Sequence, residues 1–453
     1  MGCNTTSGNT ALGLRNFGAI TTGTTNVAVG YCNLPANTIG SNNVAIGSQS
    51  LYRNTTGSDS IALGSCALYT FNGASSNIAL GRESLAATTT GSANISIGTC
   101  AAFCNLVGSL NIVLGQEALK FNSHGYGNIA IGYQAYRGNV SATNSGTHNV
   151  AVGFSALYLN SCGQCNVAVG VCALGNNSIG ACNVSVGAQA AQANSTGCYN
   201  VAVGARSLEG NTTGINNVAV GHQSMRCSCS TNCNVSLGAY SLYCGTTGAG
   251  NISIGAYSLY SSNAAGFNIA IGTCSGCAIT TGVSNVIIGG NNGTNIATSS
   301  CNVVISDGAG NVKFFANSAN NVGIGTFTPG YKLEVNGSFA ATTKSFVIDH
   351  PTKPGMRLRY GSLEGPENGV YIRGRLYDSD TIQLPDYWIK LIDPESITVN
   401  LTPIGSHQNL YVREFIDNQI VVGIDGLFKK KIDCYYTVFA ERRDVEKLQV
   451  EVF

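Results

Sequence analysis

Asn43-Val44-Ala45-Ile46-Gly47 decides the fold of this chain, because the same five-residue phrase returns from residue 9 to residue 325. With the glycine as phase marker, it runs from Gly13 through Gly30, Gly47 and Gly64 to Gly132, then from Gly153 through Gly187 and Gly221 to Gly289. Every step has the length of Gly30 to Gly47, seventeen positions, except Gly132 to Gly153, which is four positions longer. Four residues are thus inserted within Arg137 to Thr147 without altering the phrase on either side, and an insertion so tolerated belongs in a loop. Self-similarity at a fixed period is the mark of a solenoid.

The phrase has a readable chemistry. Four residues before the glycine stands asparagine, as in Asn43, Asn128 and Asn217, with Ser60 as a substitute. A β-branched residue follows (Val44), then Ala or Ser, then Val, Ile or Leu (Ile46, Ile131) before Gly47, Gly132 or Gly221. This period-2 alternation reads as a short strand with its large side chains on one face and its small one on the other. Four residues after the glycine comes a second apolar anchor, Leu51 and its equivalents, and ten after it there is often another glycine. Each repeat therefore reads as strand, glycine corner, short second strand and polar turn. With about three large apolar residues buried per coil at roughly 1.5 to 3 kcal/mol each, one coil is marginal and the stack is not. Asparagines at one phase would form an amide ladder that specifies register. Seventeen marked coils, plus degenerate ones at Asn302–Ser306 and Asn321–Gly325, predict an all-β parallel roll of about nineteen coils. At ~4.8 Å per rung this is a rod roughly 85 to 90 Å long.

Asn-Val-Ala-Ile-Gly followed by Ser/Ala-Leu resembles the head repeats of trimeric autotransporter adhesins (YadA-like heads) and similar repeats of viral and bacteriophage tail fibres. The resemblance covers roughly residues 9 to 325. It implies a parallel β-roll with three chains side by side, hence a homotrimer. Small central strand residues such as Ala28, Ala45 and Ala130 fit close approach of another sheet or subunit.

Charge is sparse and uneven. Up to Gly325 there are eight Lys/Arg and five Asp/Glu, which leaves 32 of the 45 charges for the stretch from Thr326 to Phe453. A neutral rod with no basic stripe argues against nucleic-acid binding. Met1 to Ser7 show no basic or long apolar leader, and the chain has no apolar run long enough to span a bilayer, so neither a secretion signal nor membrane insertion is expected. That departs from the autotransporter pattern and favours a protein made in the host cytoplasm and carried on the virion surface. Met1-Gly2-Cys3 loosely fits an acylation signal and reads better as a polar lead-in.

The 18 cysteines mostly keep to repeat phases, where they replace Gln, Glu, Ser or Ala. Cys165 and Cys182 share a phase on adjacent coils, about 4.8 Å apart and within disulfide reach, which makes them a candidate lateral bridge. Cys162-x-x-Cys165, Cys274-x-x-Cys277 and the Cys227 to Cys233 group lack a second paired cluster at zinc spacing. No metal or cofactor is expected. Asn-x-Ser/Thr triplets at Asn54, Asn94, Asn183, Asn211, Asn234 and Asn251 read mostly as by-products of the repeat, and the Thr-rich turns lack the single regular row that ice binding needs.

From Asn321 the texture changes, and the stretch to Gly337 looks like the junction that closes a fibre shaft. The organisation expected is a shaft over 1–325, a linker over 326–344 and an antiparallel, β-sandwich-like knob over 345–453. Strand-like runs occur at Ser345–Ile348, Gly369–Leu376, Thr381–Leu384, Ser396–Leu401, Asn409–Phe415, Ile420–Ile424, Ile432–Ala440 and Leu448–Val452. The segment from Phe346 through Pro351 to Tyr371 is similar to a terminal domain at the ends of viral fibres, while the self-cleaving chaperone that often ends such fibres is not visible. Glu364, Glu367, Asp349 and His350 supply carboxylates and a base, but nothing sets their separation, so no enzyme is expected. Tyr360, Tyr371, Tyr387 and Trp388 are the candidate receptor-binding aromatics; the alternative for the sole tryptophan is a core position. Lys429-Lys430-Lys431 reads as a solvated turn. The function expected is a structural virion fibre that acts as spacer and host-attachment protein, with other virion proteins and a host receptor, a glycan among the options, as partners. The alternative is a cellular trimeric adhesin or extracellular filament subunit.

Overall fold

The computed structural model describes residues 8–140, 144–245, 247–263, 265–340, 345–361, 367–426, 431–445 and 447. Met1–Ser7, Glu364, Lys429, Lys430 and the expected strand Leu448–Val452 lie outside the described residues. Two compact units divide between Ser338 and Phe339.

The first unit is the roll. Its strands run from β1 (Thr10–Leu14) to β18 (Val303–Ser306), one per coil, each paired in parallel with the next. Equivalent residues superpose: Ala28 faces Ala45, and Gly30 faces Gly47. The repeat period is thus a register of hydrogen bonds. The glycine row is required by both space and backbone. Gly47 has φ 134°, outside the reach of ordinary side chains, and a Cβ there would sit 2.8 Å from the carbonyl oxygen of Gly64.

Which face is buried reverses the expectation. Ala45, Ala62, Ala130 and Ala202 are fully buried, whereas Ile46 and Ile131 are 37% exposed and Val220 is 36% exposed. The large strand residues point outward and the small ones inward. Across the interior, Ser84 Oγ donates to Ser96 Oγ at 2.9 Å, and Ser224 Oγ to Ser236 Oγ at 2.8 Å. Walls that close together favour a small residue at the inward strand position, with Val113, Ile287 and Val304 as buried exceptions. The interior of a typical coil therefore holds one large side chain, Leu51 or its equivalent, with two small ones, rather than three large ones. That leucine contributes about 1.5 to 3 kcal/mol.

No second strand forms around it. Leu51 has φ 51° and Gln49 φ 59°, a left-handed turn that costs ordinary residues roughly 1–2 kcal/mol each. Turn residues still bond from coil to coil, as Leu51 N donates to Ala67 O at 3.0 Å. Stacking therefore offsets a turn that no isolated peptide would hold.

Buried asparagines supply the rest of the cohesion. Asn43 donates its backbone N and its Nδ2 to Asn26 Oδ1 at 3.0 and 3.1 Å, and its second amide hydrogen to Gly57 O at 2.8 Å. Asn128 and Asn217 repeat the arrangement. A second ladder, unread in the sequence, runs through Asn160, Asn177, Asn194 and Asn211 with steps of 2.8 to 2.9 Å. Asn54 and Asn211 belong to it, so all six glycosylation-like asparagines are buried.

The one longer coil keeps the pattern. Tyr136 takes the leucine position, fully buried, and its Oη accepts from Asn149 Nδ2 at 3.3 Å. Asn144 rejoins the second asparagine row through a parallel bridge to Asn122. The extra residues lie between Tyr136 and Asn144, within the expected loop.

At its far end the roll closes differently from expectation. Asn302–Ser306 is a true rung. Asn321–Gly325 is not: Asp307 accepts from the backbone N of Ala309 and Asn311, and the chain reverses into β19 (Val312–Ala316), antiparallel to β18. β20 (Val322–Ile324) runs antiparallel to β19 and pairs in parallel with β21 (Leu333–Val335). The roll has eighteen parallel rungs and an antiparallel end, and β21 places part of the expected linker in the first unit.

The second unit holds a hairpin, β22 (Ser345–Asp349) with β23 (Arg357–Gly361), and two three-stranded antiparallel sheets. One orders β24 (Gly369–Tyr377), β29 (Asp433–Glu441) and β26 (Thr398–Pro403); the other β25 (Thr381–Gln383), β28 (Gln419–Asp425) and β27 (Asn409–Ile416). A one-turn helix, α1 (Trp388–Leu391), closes the core with Val370, Leu376, Ile420 and Val438. Among the described residues, β23, α1 and a 3-10 turn at Pro394–Ser396 are the elements that strand patterning missed.

Candidate interaction surfaces

Three surfaces follow from this construction. The first is the outward face of the roll. Because one strand recurs at the same place in every coil, the residue before each glycine stacks into one row: Ile46, Ile97, Ile131, Val186, Ile271 and Ile305 are all 37 to 41% exposed. Their equivalents Val29, Leu63, Leu80, Leu114 and Leu237 are half-buried, and Leu12 on the first rung is 65% exposed. Val44 and its equivalents form a second row beside it, half-buried at Val44 and Val150 and 36 to 39% exposed at Ile61, Ile95, Ile112 and Ile252. Parallel sheets in general are covered on both faces. This one is covered on its inner face by its own chain.

The second surface is a charge cluster across coils. Glu117 accepts from Lys120 Nζ at 2.7 Å and Gln134 Nε2 at 2.9 Å, with Arg137 at 3.3 Å. These partners hold its carboxyl down to about 2, with the Lys120 bond the largest cause. Arg137 also lies 4.7 Å from the centre of the Phe121 ring.

The third is the terminal unit, where the structure separates the four candidate aromatics. Trp388 is fully buried, and its Nε1 donates to Tyr360 Oη at 3.2 Å. Tyr360 and Tyr387 share a hydroxyl hydrogen bond of 2.5 Å, and burial followed by that bond raises the Tyr387 hydroxyl well above its ordinary range. These three make an internal lock between the β22–β23 hairpin and α1. Trp388 is thereby a core residue, while Tyr360 and Tyr387 are half-buried with their hydroxyls turned to one another. Tyr371, 40% exposed on β24, remains on an open face.

Of the carboxylates named from sequence, Asp349 and Glu367 lie within the described residues. Asp349 is exposed and pairs with Arg357 at 3.5 Å, while Glu367 is exposed near Gly369. His350 Nδ1 accepts from the backbone N of Thr352 and Lys353 at 3.2 and 3.0 Å, so it shapes a turn. Among the described residues, no group of three His, Cys, Asp or Glu is placed to hold a metal ion, and no helix is long and apolar enough to cross a membrane. Cys165 and Cys182 are exposed free thiols on adjacent coils, in hydrogen-bond reach of each other.

No family model matches the chain, and no curated protein or solved structure matches it either.

Proposed function

We propose that this protein is a structural fibre of a virion, a homotrimer whose roll is a spacer and whose terminal unit attaches the particle to a host surface. The observation that carries the reading is the outward face of Val, Ile and Leu that recurs on every rung. Two such side chains per rung over eighteen rungs expose apolar area on the order of 1,500 Å², against the few hundred Å² usual for a monomer's largest patch. A row of fixed period is best covered by an identical row, so the partner is another copy of the chain. The likeness to trimeric repeats supplies the number three. The roll carries few charges and repeats one surface, which suits a spacer, whereas the terminal unit has non-repeating loops and most of the charge. Sedimentation equilibrium of the whole chain should give three times 46.7 kDa. A monomer at micromolar concentration would overturn the assembly, and antibodies to the terminal unit that fail to label virions would overturn the location.

A further inference from the structure

The outer face of the sheet β24–β29–β26 carries chemistry that the fibre reading leaves unused. Strand alternation sends Val370, Leu376, Cys434 and Val438 into the core. On β24 the opposite parity leaves Tyr371, Arg373, Arg375 and Tyr377 exposed. Register sets Arg373 against Thr437 and Arg375 against Tyr435. These two arginines, Tyr435 and Thr437 flank a depression of about 510 Å³, within the usual range for small-ligand sites.

The two arginines are in different states. Arg375 is neutralised by Asp433, which accepts from its Nε and Nη2 at 2.8 and 2.9 Å, and it lies 5.4 Å from the centre of the Tyr377 ring. It is a fixed wall. Arg373, two residues along the same face, has no carboxylate partner among the described residues. A planar guanidinium with its donors open matches a carboxylate bidentately. A single open cation suits a monoanion, whereas a polyanion calls for several. Tyr435, 58% exposed, offers a ring face to the apolar side of a sugar. On β26, Asn400 and Thr402 continue the same exposed face with amide and hydroxyl groups suited to sugar hydroxyls.

We propose that this face binds an acidic pyranose, its ring carboxylate on Arg373 and its ring over Tyr435. The inference rests on the attachment reading and specifies its ligand class. A uronic acid of a polysaccharide and a nonulosonic acid of a glycoprotein share this chemistry, and the test separates them. Methyl β-glucuronide, N-acetylneuraminic acid, neutral methyl β-glucoside and sodium acetate are titrated into the full-length protein by calorimetry, with saturation-transfer NMR to locate the sugar protons near the ring. At least one acidic sugar should bind, the glucoside and acetate should bind at least tenfold more weakly, and Arg373→Gln and Tyr435→Ala should each lose tenfold or more. Arg413→Gln, at an exposed arginine on another sheet, should change nothing. Equal binding of acidic and neutral sugar, acetate binding as tightly as the sugars, or an undiminished Arg373→Gln would overturn the site. Adhesion to host cells separates the two readings: wild-type adhesion that survives Arg373→Gln ends this site and leaves attachment standing, and wild-type protein that binds acidic sugar yet never adheres ends attachment instead.

Discussion

Asn149 donates its Nδ2 to Asn128 Oδ1 at 3.2 Å across the longest coil, the same bond that Asn128 makes to Asn111 at 3.1 Å across an ordinary one. The amide ladder is thus indifferent to how much chain lies between its members, provided the chain returns in register. That continuity ties the longest coil to its neighbours.

Replacing Asn149 by Ala should destabilise the roll by about 2 to 3 kcal/mol, since the buried backbone N of Asn166 loses its acceptor, Asn149 Oδ1, while Asn128 Oδ1 and Gly163 O each lose one of their donors. Adding two residues between Gly138 and Thr143 should change stability by less than about 0.6 kcal/mol. Thermal unfolding followed by circular dichroism compares the two; equal losses would contradict the ladder.

Gly221→Ala should be among the most damaging single changes in the roll. Its φ is 132°, and a Cβ would lie 2.6 Å from the Gly238 carbonyl carbon, which the stacked neighbour cannot yield. The adjacent His222→Ala, at an exposed position, should be silent. Soluble yield and melting temperature report the contrast.

Ile131→Asp and Leu119→Asp separate assembly from folding. Ile131 lies on the outward row and Leu119 is fully buried. The first should leave the strand content of the single chain intact and abolish association, while the second buries an unpaired charge and unfolds the coil. Sedimentation velocity with far-UV circular dichroism reads both, and a trimer that survives Ile131→Asp would remove the outward row from the interface.

Acid should weaken the coils around Glu117. Its folded carboxyl titrates near 2, against an ordinary 4.5, so its pairing contributes fully above pH 4.5 and is lost as pH falls from there towards 2. The group is partly solvated, so the contribution is about 1 kcal/mol after screening. Wild type and Glu117→Gln should differ in melting temperature at pH 6 and converge near pH 2.

The amino-acid sequence by itself determined the period, the parallel stacking, the asparagine row and the glycine row, because each is a repetition, and repetition at so short and constant a step admits little but a solenoid. Most strands of the terminal unit were legible too, β23 excepted, since alternation bounded by turn residues is a local property. What the tertiary structure alone decided is which side of each strand is inside. Alternation defines two faces and is symmetric between them; the narrow cross-section of so short a coil breaks the tie, admitting Ala45 and Leu51 and expelling Val44 and Ile46. The second asparagine row escaped for a related reason. Phe71, Thr88 and Ser228 interrupt it, and only the packing of neighbouring coils shows that these residues share one column. Trp388 was ambiguous because an aromatic beside turn residues suits either a binding face or a core, and the choice rests on the distant Tyr360, whose hydroxyl reaches the indole N–H only once the hairpin has folded onto the sheets.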